Sequence, residues 1–148
     1  MEISRINPYV ITVLKENSWH EGRKYDIGYF RETLCAEGYV LFEYAQEILE
    51  SLGGITVHSK GDGSHSYADF DFDPVEAASG EFDRIEYYQS IAHESLFPLG
   101  SLSQGIAYAG MSQKIYWGSV DRLYLVGNSI ENYLNNLLSW KPSIISLN

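Results

Sequence analysis

The spacing of apolar and polar residues predicts three helices in the first third of the chain. Asn7 followed by Pro8 is typical of a helix N-cap and first turn, and this helix should extend to about Glu16. A second helix is predicted over residues 27–37, where Gly38 would end it. A third helix is indicated by apolar residues that recur at helical spacing: Leu41, Ala45, Ile48, Leu49 and Leu52.

Shorter elements follow the glycine pair at residues 53–54, whose freedom to adopt a positive φ should end the third helix. Alternation with a period of two predicts strands over residues 55–58 and 66–72. An aspartate cap and a proline in the first turn predict a short helix over residues 73–79. Another helix is predicted over residues 84–93.

The rest of the chain predicts a sheet followed by one more helix. Short apolar runs separated by Gly, Ser and Asp indicate an antiparallel meander over residues 97–101, 105–110, 114–119 and 122–127. Ser129 then caps a helix with an unbroken apolar stripe: Ile130, Tyr133, Leu134, Leu137 and Leu138. This order predicts an α+β fold, with helices covering one side of a mainly antiparallel sheet, and a single domain over residues 1–148.

The composition is that of an ordinary globular domain, with 148 residues of which 45% are hydrophobic and 20% charged. The apolar runs are far shorter than a membrane span, and the first residues lack the basic start and apolar block of a signal peptide. A single cysteine, Cys35, excludes an internal disulfide and a cysteine-based zinc site. We therefore expect a cytoplasmic protein with no membrane partner.

The net charge of −10 is concentrated in one part of the chain. Residues 61–94 hold nine acidic side chains and a single base, Arg84, and so carry −8 of it. Direct binding to nucleic acid requires a positive footprint, so this class of function is disfavoured. A basic protein partner fits, because complementary fields speed encounter and reject wrong partners. The alternative is that the acidity serves only solubility.

Three aspartates alternate with phenylalanines in "SYADFDFDP", residues 66–74. In a strand, one face would carry Tyr67, Asp69, Asp71 and Asp73, and the core-facing side Ala68, Phe70 and Phe72. The aspartate spacing resembles a calcium loop, but Pro74 stands where such a loop needs glycine and Gly80 where it needs glutamate. Neighbours on one strand face also do not form a pair of catalytic acids across a cleft. The row is therefore either a solvated face or a docking surface.

Other chemical motifs are missing from the sequence. The four histidines lack the spacing of metal ligands. Cys35 lies in a predicted helix and is expected to be a small core residue. Ser64, His65 and Ser66 are sequence neighbours, which rarely form a catalytic constellation, so we expect them in a turn. A small hydrolase is thus the least favoured class, and we expect no enzyme activity, metal or cofactor.

Several short motifs, taken in order, resemble those of a known family. They are "WHEGR" at 19–23, "ILESLGGITV" at 48–57, "FDFDP" at 70–74, "FPLG" at 97–100, "KIYWG" at 114–118 and "LYLVGNSIENYLNNLL" at 123–138. This order is similar to that of the third subgroup of the SUKH superfamily, a group of bacterial immunity proteins. The resemblance implies a curved central sheet flanked by N-terminal helices and a C-terminal helix. It also implies that the shared residues serve turns, caps and packing: Trp19, Gly22, Arg23, Gly53, Gly54, Asp73, Pro74, Pro98, Gly100 and Gly127.

The same resemblance implies an antitoxin that binds a cognate polymorphic toxin, frequently a nuclease, and has no catalytic residues. A nuclease groove is positive because it binds phosphates, so an acidic segment could occupy it. The alternative is a non-enzymatic adaptor that binds an endogenous protein. We expect a monomer or weak homodimer with no nucleic-acid partner. The predicted partner-binding residues are Asp62, Tyr67, Asp69, Asp71, Glu76, Glu81 and Asp83.

Overall fold

The computed structural model describes residues 1–58, 68–139 and 142–148. Over these residues the chain forms six α-helices, a short 3₁₀ helix at Ile3–Arg5 and seven β-strands. The helices are α1 (Pro8–Glu16), α2 (Gly28–Glu37), α3 (Glu43–Leu52), α4 (Pro74–Ala78), α5 (Phe82–Ala92) and α6 (Ile130–Leu137). The strands are β1 (Thr56–Val57), β2 (Phe70–Asp71), β3 (Leu96–Leu102), β4 (Gly105–Gly110), β5 (Ile115–Ser119), β6 (Arg122–Gly127) and β7 (Ile145–Ser146).

Local capping chemistry explains where most helices begin and end. The Asn7 side chain accepts a hydrogen bond from the backbone N–H of Tyr9 at the start of α1. Gly38, with φ of +112°, ends α2 in the left-handed conformation that glycine adopts without strain. The Ser129 side chain accepts from the backbone N–H of Asn132 and starts α6. These predicted boundaries are therefore confirmed.

The strands form one open antiparallel sheet whose spatial order is the order of the strands in the chain, β1 to β7. The predicted meander corresponds to β3–β6, where each pair of neighbours is joined by a hairpin. Strand β7, which pairs with β6 through Leu125 and Ile145, was not predicted. The α+β fold is confirmed, and each of its edges is a strand of two residues.

The sheet is covered by helices on both faces, which corrects the prediction of a single covered side. Four consecutive residues of β4, Ile106–Ala109, are all buried, although successive residues of a strand point to opposite faces. On one face, an added Cβ at Gly118 of β5 would lie 2.6 Å from Tyr88 of α5. On the other, an added Cβ at Gly127 of β6 would lie 2.8 Å from Tyr133 of α6. The two helices therefore sandwich the sheet.

The aspartate–phenylalanine alternation separates core from surface as predicted. Phe70 and Phe72 are each 1% exposed, and their rings pack edge to face with centroids 6.1 Å apart. Of the strand predicted over 66–72, residues 68–72 are described, and among these only Phe70–Asp71 form a strand.

Among the described residues, no helix is long and apolar enough to cross a membrane.

Candidate protein-binding surface

The row of aspartates consists of three carboxylates in different environments. Asp69 is exposed, and its Oδ2 lies 4.0 Å from Nδ1 of His58. Asp73 caps α4, because its Oδ1 accepts a hydrogen bond from the backbone N–H of Glu76 at 3.1 Å. The capping role predicted for Asp73 is therefore confirmed, and only part of the row faces solvent.

Asp71 is a structural carboxylate. Its Oδ1 accepts hydrogen bonds from the backbone N–H groups of Asp73 and Ser101, each at 3.0 Å. The two bonds tie the start of α4 and the end of β3 to strand β2. Backbone packing is equally close here, since an added Cβ at Gly100 would lie 2.0 Å from the Asp71 carbonyl oxygen. Glycine is required at position 100 because the backbones of two strands of the same chain approach closely here.

A second acidic region lies at the corner between α4 and α5. Glu76 of α4 and Glu81, at the start of α5, line a cleft of about 460 Å³. The β3–β4 turn, the β5–β6 turn and the strand residues next to these turns also line it. This cleft, which we call the acidic cleft, brings together two of the predicted partner-binding residues.

Electrostatic effects on buried groups locate the neighbouring acids. Burial raises the pKa of the Tyr39 hydroxyl, and Glu37, Glu81 and Asp83 raise it further. Tyr39 is buried, and its hydroxyl donates to the backbone carbonyl of Ala78 at the end of α4. The three carboxylates therefore lie close enough to the Tyr39 hydroxyl for their fields to add there.

One cation balances part of this charge. Arg84 Nε lies 2.7 Å from Oε2 of Glu81, and both side chains are partly exposed. The pKa of the Arg84 guanidinium is raised, mainly by Glu81 and then by its hydrogen bond with Tyr88. Arg84 also lines the acidic cleft. Because an exposed pair of this kind is stabilised only weakly, an incoming cation can compete with Arg84 for Glu81.

Glu94, the last acid of residues 61–94, stabilises a turn through hydrogen bonds and is not counted in the acidic surface. Its carboxylate accepts hydrogen bonds from the backbone N–H and the hydroxyl of Ser112, each at 2.7 Å, and from the hydroxyl of Tyr116. Burial by itself would raise the pKa of Glu94, but these bonds, with the charge of Lys114, outweigh it and lower the pKa. Glu94 therefore stabilises the β4–β5 turn in its ionised form.

The seven predicted partner-binding residues thus fall into four groups. Asp62 and Tyr67 lie outside the described residues. Asp69 and Asp83 are exposed; Asp69 precedes α4 in the sequence, and Asp83 follows it. Glu76 and Glu81 share the acidic cleft, and Asp71 is held by backbone donors.

Sequence reasoning missed Val120, which lines the acidic cleft from the β5–β6 turn. Its side chain is 75% exposed, and its φ is +54°. A β-branched residue is a rare choice for this backbone conformation, which favours Gly, Asn or Asp. The signal in the sequence is the absence of such a residue at the first turn position between two predicted strands.

Other candidate chemistry does not converge on a site. Cys35 is exposed on α2, so the expectation that it is a core residue is wrong. Ser64, His65 and Ser66 lie outside the described residues. Within the described ranges, no group of three or more His, Cys, Asp or Glu side chains is placed to hold a metal ion.

The motif residues serve packing, as the resemblance implied. Trp19 is buried, and its indole N–H donates to the Ser51 hydroxyl at 3.3 Å, while Arg23 donates to the Ser51 carbonyl at 2.9 Å. Gly54 has φ of +81°, as expected. Gly53, in contrast, has a φ of −51°, so it does not use the freedom to adopt a positive φ. Glycine is needed there because an added Cβ would lie 2.5 Å from the Leu49 carbonyl oxygen.

Fold and cleft together define a small α+β protein with a charged concave surface. The SUKH-3 immunity protein family model matches residues 6–140, and the chain belongs to that family. Its role is therefore that of an immunity protein, in a family that is generally non-enzymatic and whose members bind a cognate toxin. No curated protein and no solved structure matches the chain.

Proposed function

We propose that this protein neutralises a basic toxin, most simply a nuclease domain, by forming a stoichiometric complex in the cytoplasm. Residues 1–148 act as one binding domain with no catalytic step. The acidic face formed by Asp69, Glu76, Glu81 and Asp83, with Asp62 and Tyr67 next to it in the sequence, meets the cationic groove in which the toxin binds phosphates.

The observation that carries this proposal is the net charge of −8 in residues 61–94, together with the cleft that Glu76 and Glu81 line. An excess of negative charge around a concave surface, which Arg84 only partly offsets, focuses the field and raises the association rate of a cationic partner. The acidic face would occupy the groove in which the toxin binds nucleic acid, and its charge repels the phosphates. Binding of the antitoxin and binding of the nucleic acid would therefore be mutually exclusive.

Asp71 and Glu94 contribute to this field but are not expected to contact the toxin, since backbone donors or neighbouring side chains hold both carboxylates. The contacts should instead come from carboxylates with freedom to reorient. Glu76 and Asp83 are the most suitable, because both are exposed and lie at the same corner of the fold.

A growth experiment tests the proposal. The gene for the cognate toxin is induced in cells that express either the wild-type protein, the Glu76→Lys/Asp83→Lys double variant or a Glu16→Lys/Glu47→Lys control. Glu16 and Glu47 are exposed acids on α1 and α3, so the control makes the same change in net charge elsewhere. We expect rescue by the wild type and the control, and loss of rescue by the double variant.

The outcomes separate the alternatives. If the wild type does not rescue growth and does not co-purify with the toxin, the immunity mechanism is wrong, and an adaptor for an endogenous protein takes its place. If both double variants rescue equally, binding takes place through another surface, and the proposed acidic face is wrong.

A further inference from the structure

Among the described residues that line the acidic cleft, only Val120 of the β5–β6 turn is a largely exposed apolar residue. Ser119 pairs with Arg122 across the hairpin, so Val120 and Asp121 form a two-residue turn. Val120 has φ of +54°, whereas Asp121 does not have a positive φ. In two-residue hairpins, the first central position of such a turn is normally glycine. Valine there is strained, because its β-branched side chain crowds the backbone.

Hydrogen bonds from three side chains hold the turn in this conformation. The buried Tyr88 hydroxyl donates to the Val120 carbonyl at 2.8 Å. The Asp121 carbonyl accepts from the Tyr87 hydroxyl at 3.0 Å and from the Asn148 side-chain amide at 2.7 Å. A turn fixed in this way does not have to be ordered when a partner binds, which lowers the entropic cost of association.

The strain gives no benefit to the fold. Val120 is 75% exposed, so its side chain adds little to the core, and glycine or asparagine would adopt the same φ at lower cost. Backbone strain of this kind persists where the surrounding structure enforces it, and it concentrates at functional positions. An apolar side chain displayed on a rigid, strained turn is therefore a candidate for a contact that the isolated chain does not contain.

The surroundings of Val120 define what it would contact. It shares the acidic cleft with Glu76, Glu81 and Arg84, and Arg84 is bound to Glu81. Tyr88 connects the Arg84–Glu81 pair with the β5–β6 turn, because its hydroxyl bonds both to Arg84 and to the Val120 carbonyl. A surface complementary to this arrangement would be a shallow apolar depression bordered by Lys or Arg side chains. Interfaces commonly have this arrangement, with an apolar anchor at the centre and charges at the rim.

We propose that Val120 is the apolar anchor of the toxin interface and that it inserts into a depression on the toxin whose cationic rim pairs with Glu76 and Glu81. This inference rests on the proposed function and deepens it, because it adds a central contact to the acidic face. The charges set the rate of encounter, and the Val120 contact sets the lifetime of the complex.

Three single variants test the inference against the purified cognate toxin. Val120→Asn relieves the strain and removes the apolar group, Val120→Thr keeps the branched shape but adds a hydroxyl, and Met111→Asn is the control. Met111 is 60% exposed in the turn at the opposite end of β5. Melting temperature and the rate constants of binding are measured for each.

We expect Val120→Asn to melt about 2–4 °C higher than the wild type and to bind about tenfold or more weakly, through faster dissociation. Val120→Thr should lose affinity without gaining stability, and Met111→Asn should bind within about twofold of the wild type. In hydrogen exchange, amides 119–122 should gain protection in the wild-type complex.

Several results would overturn the inference. If Val120→Asn and Val120→Thr bind as tightly as the wild type, Val120 is not an anchor, and the rescue assay then tests the charges of the acidic face alone. A lower melting temperature for Val120→Asn would show that valine serves the fold. If the variants instead dissolve a homodimer and leave toxin binding unchanged, the turn pairs two copies of this chain. If the wild type does not bind the toxin, the proposed function fails first.

Discussion

The aspartate row at residues 69–73 and the acidic cleft carry charge of the same sign and differ in what holds their carboxylates. In the row, Asp71 accepts two backbone N–H groups and Asp73 caps α4. In the cleft, Glu76 is exposed, and Glu81 pairs with Arg84 at the surface. The density of acids along the sequence therefore does not measure the charge available to a partner.

The difference follows from the chain geometry. Where β2 meets β3 and α4 begins, several backbone N–H groups lack partners in the sheet or helix, and a nearby carboxylate satisfies them. At the α4–α5 corner, Glu37 fills this role, because it accepts from the Ser79 hydroxyl and the Gly80 N–H. Glu76 and Asp83 are thereby left for a partner.

The largest effect expected from this comparison is on Asp71. Asp71→Ala should lower the free energy of unfolding by roughly 2–4 kcal/mol, because it leaves two backbone donors without their acceptor. Asp69→Ala, two residues away and exposed, is the matched control and should cost less than about 1 kcal/mol. Urea unfolding of both variants measures the two values. Equal losses would contradict the division between structural and surface carboxylates.

Glu94→Gln should have the next largest effect and should depend on pH. The pKa of Glu94 is lowered in the folded state, so its contribution is present above the unfolded pKa and is lost as pH falls through the folded pKa. We expect a loss of about 2 kcal/mol at pH 7, and a smaller difference from the wild type below about pH 4. Unfolding curves at a series of pH values check this, and a difference that stays constant with pH would refute the role of the ionised carboxylate.

Asp73→Ala should cost about 1 kcal/mol, since it removes the side-chain cap of α4. Asp73→Asn is the conservative control and should keep most of the stability, because asparagine also caps helices. Thermal unfolding measures both. If alanine and asparagine behave alike, the cap contributes nothing.

The smallest effect on stability is expected for the exposed acids at the α4–α5 corner. Glu76→Gln and Asp83→Asn should change the free energy of unfolding by no more than about 0.5 kcal/mol, since exposed acids away from such contacts contribute little. The same denaturation assay applies. A loss as large as that of Asp73→Ala would place these residues among the structural carboxylates.

The helices and the meander were predictable because their signals are local. Asn7, Gly38, Asp73 and Ser129 act on backbone groups within a few residues, so sequence spacing is enough to locate them. Strand β7 was not predictable, because a pair of residues forms a strand only where a neighbouring edge is available. Coverage of both sheet faces also depends on long-range packing, which the alternation along one strand does not encode.

The candidate surface was predictable only in part, for a similar reason. Charge counting located the segment that contains Glu76, Glu81 and Asp83, but it could not tell them from Asp71 and Glu94, whose long-range partners lie 18 to 30 residues away in the chain. The positive φ of Val120 accompanies the hairpin register and one hydrogen bond from Tyr88, so its only sign in the sequence is the absence of Gly, Asn or Asp at the first turn position.

The most direct test of the central claim is the association rate constant for the toxin, measured by stopped flow at a series of salt concentrations. For the wild type and the Glu16→Lys/Glu47→Lys control, the account predicts fast association at low salt that falls steeply as salt rises. For Glu76→Lys/Asp83→Lys, it predicts a rate at least about tenfold lower at low salt and a much flatter dependence. Identical salt dependences for the two double variants would contradict the claim that this acidic face receives a cationic partner.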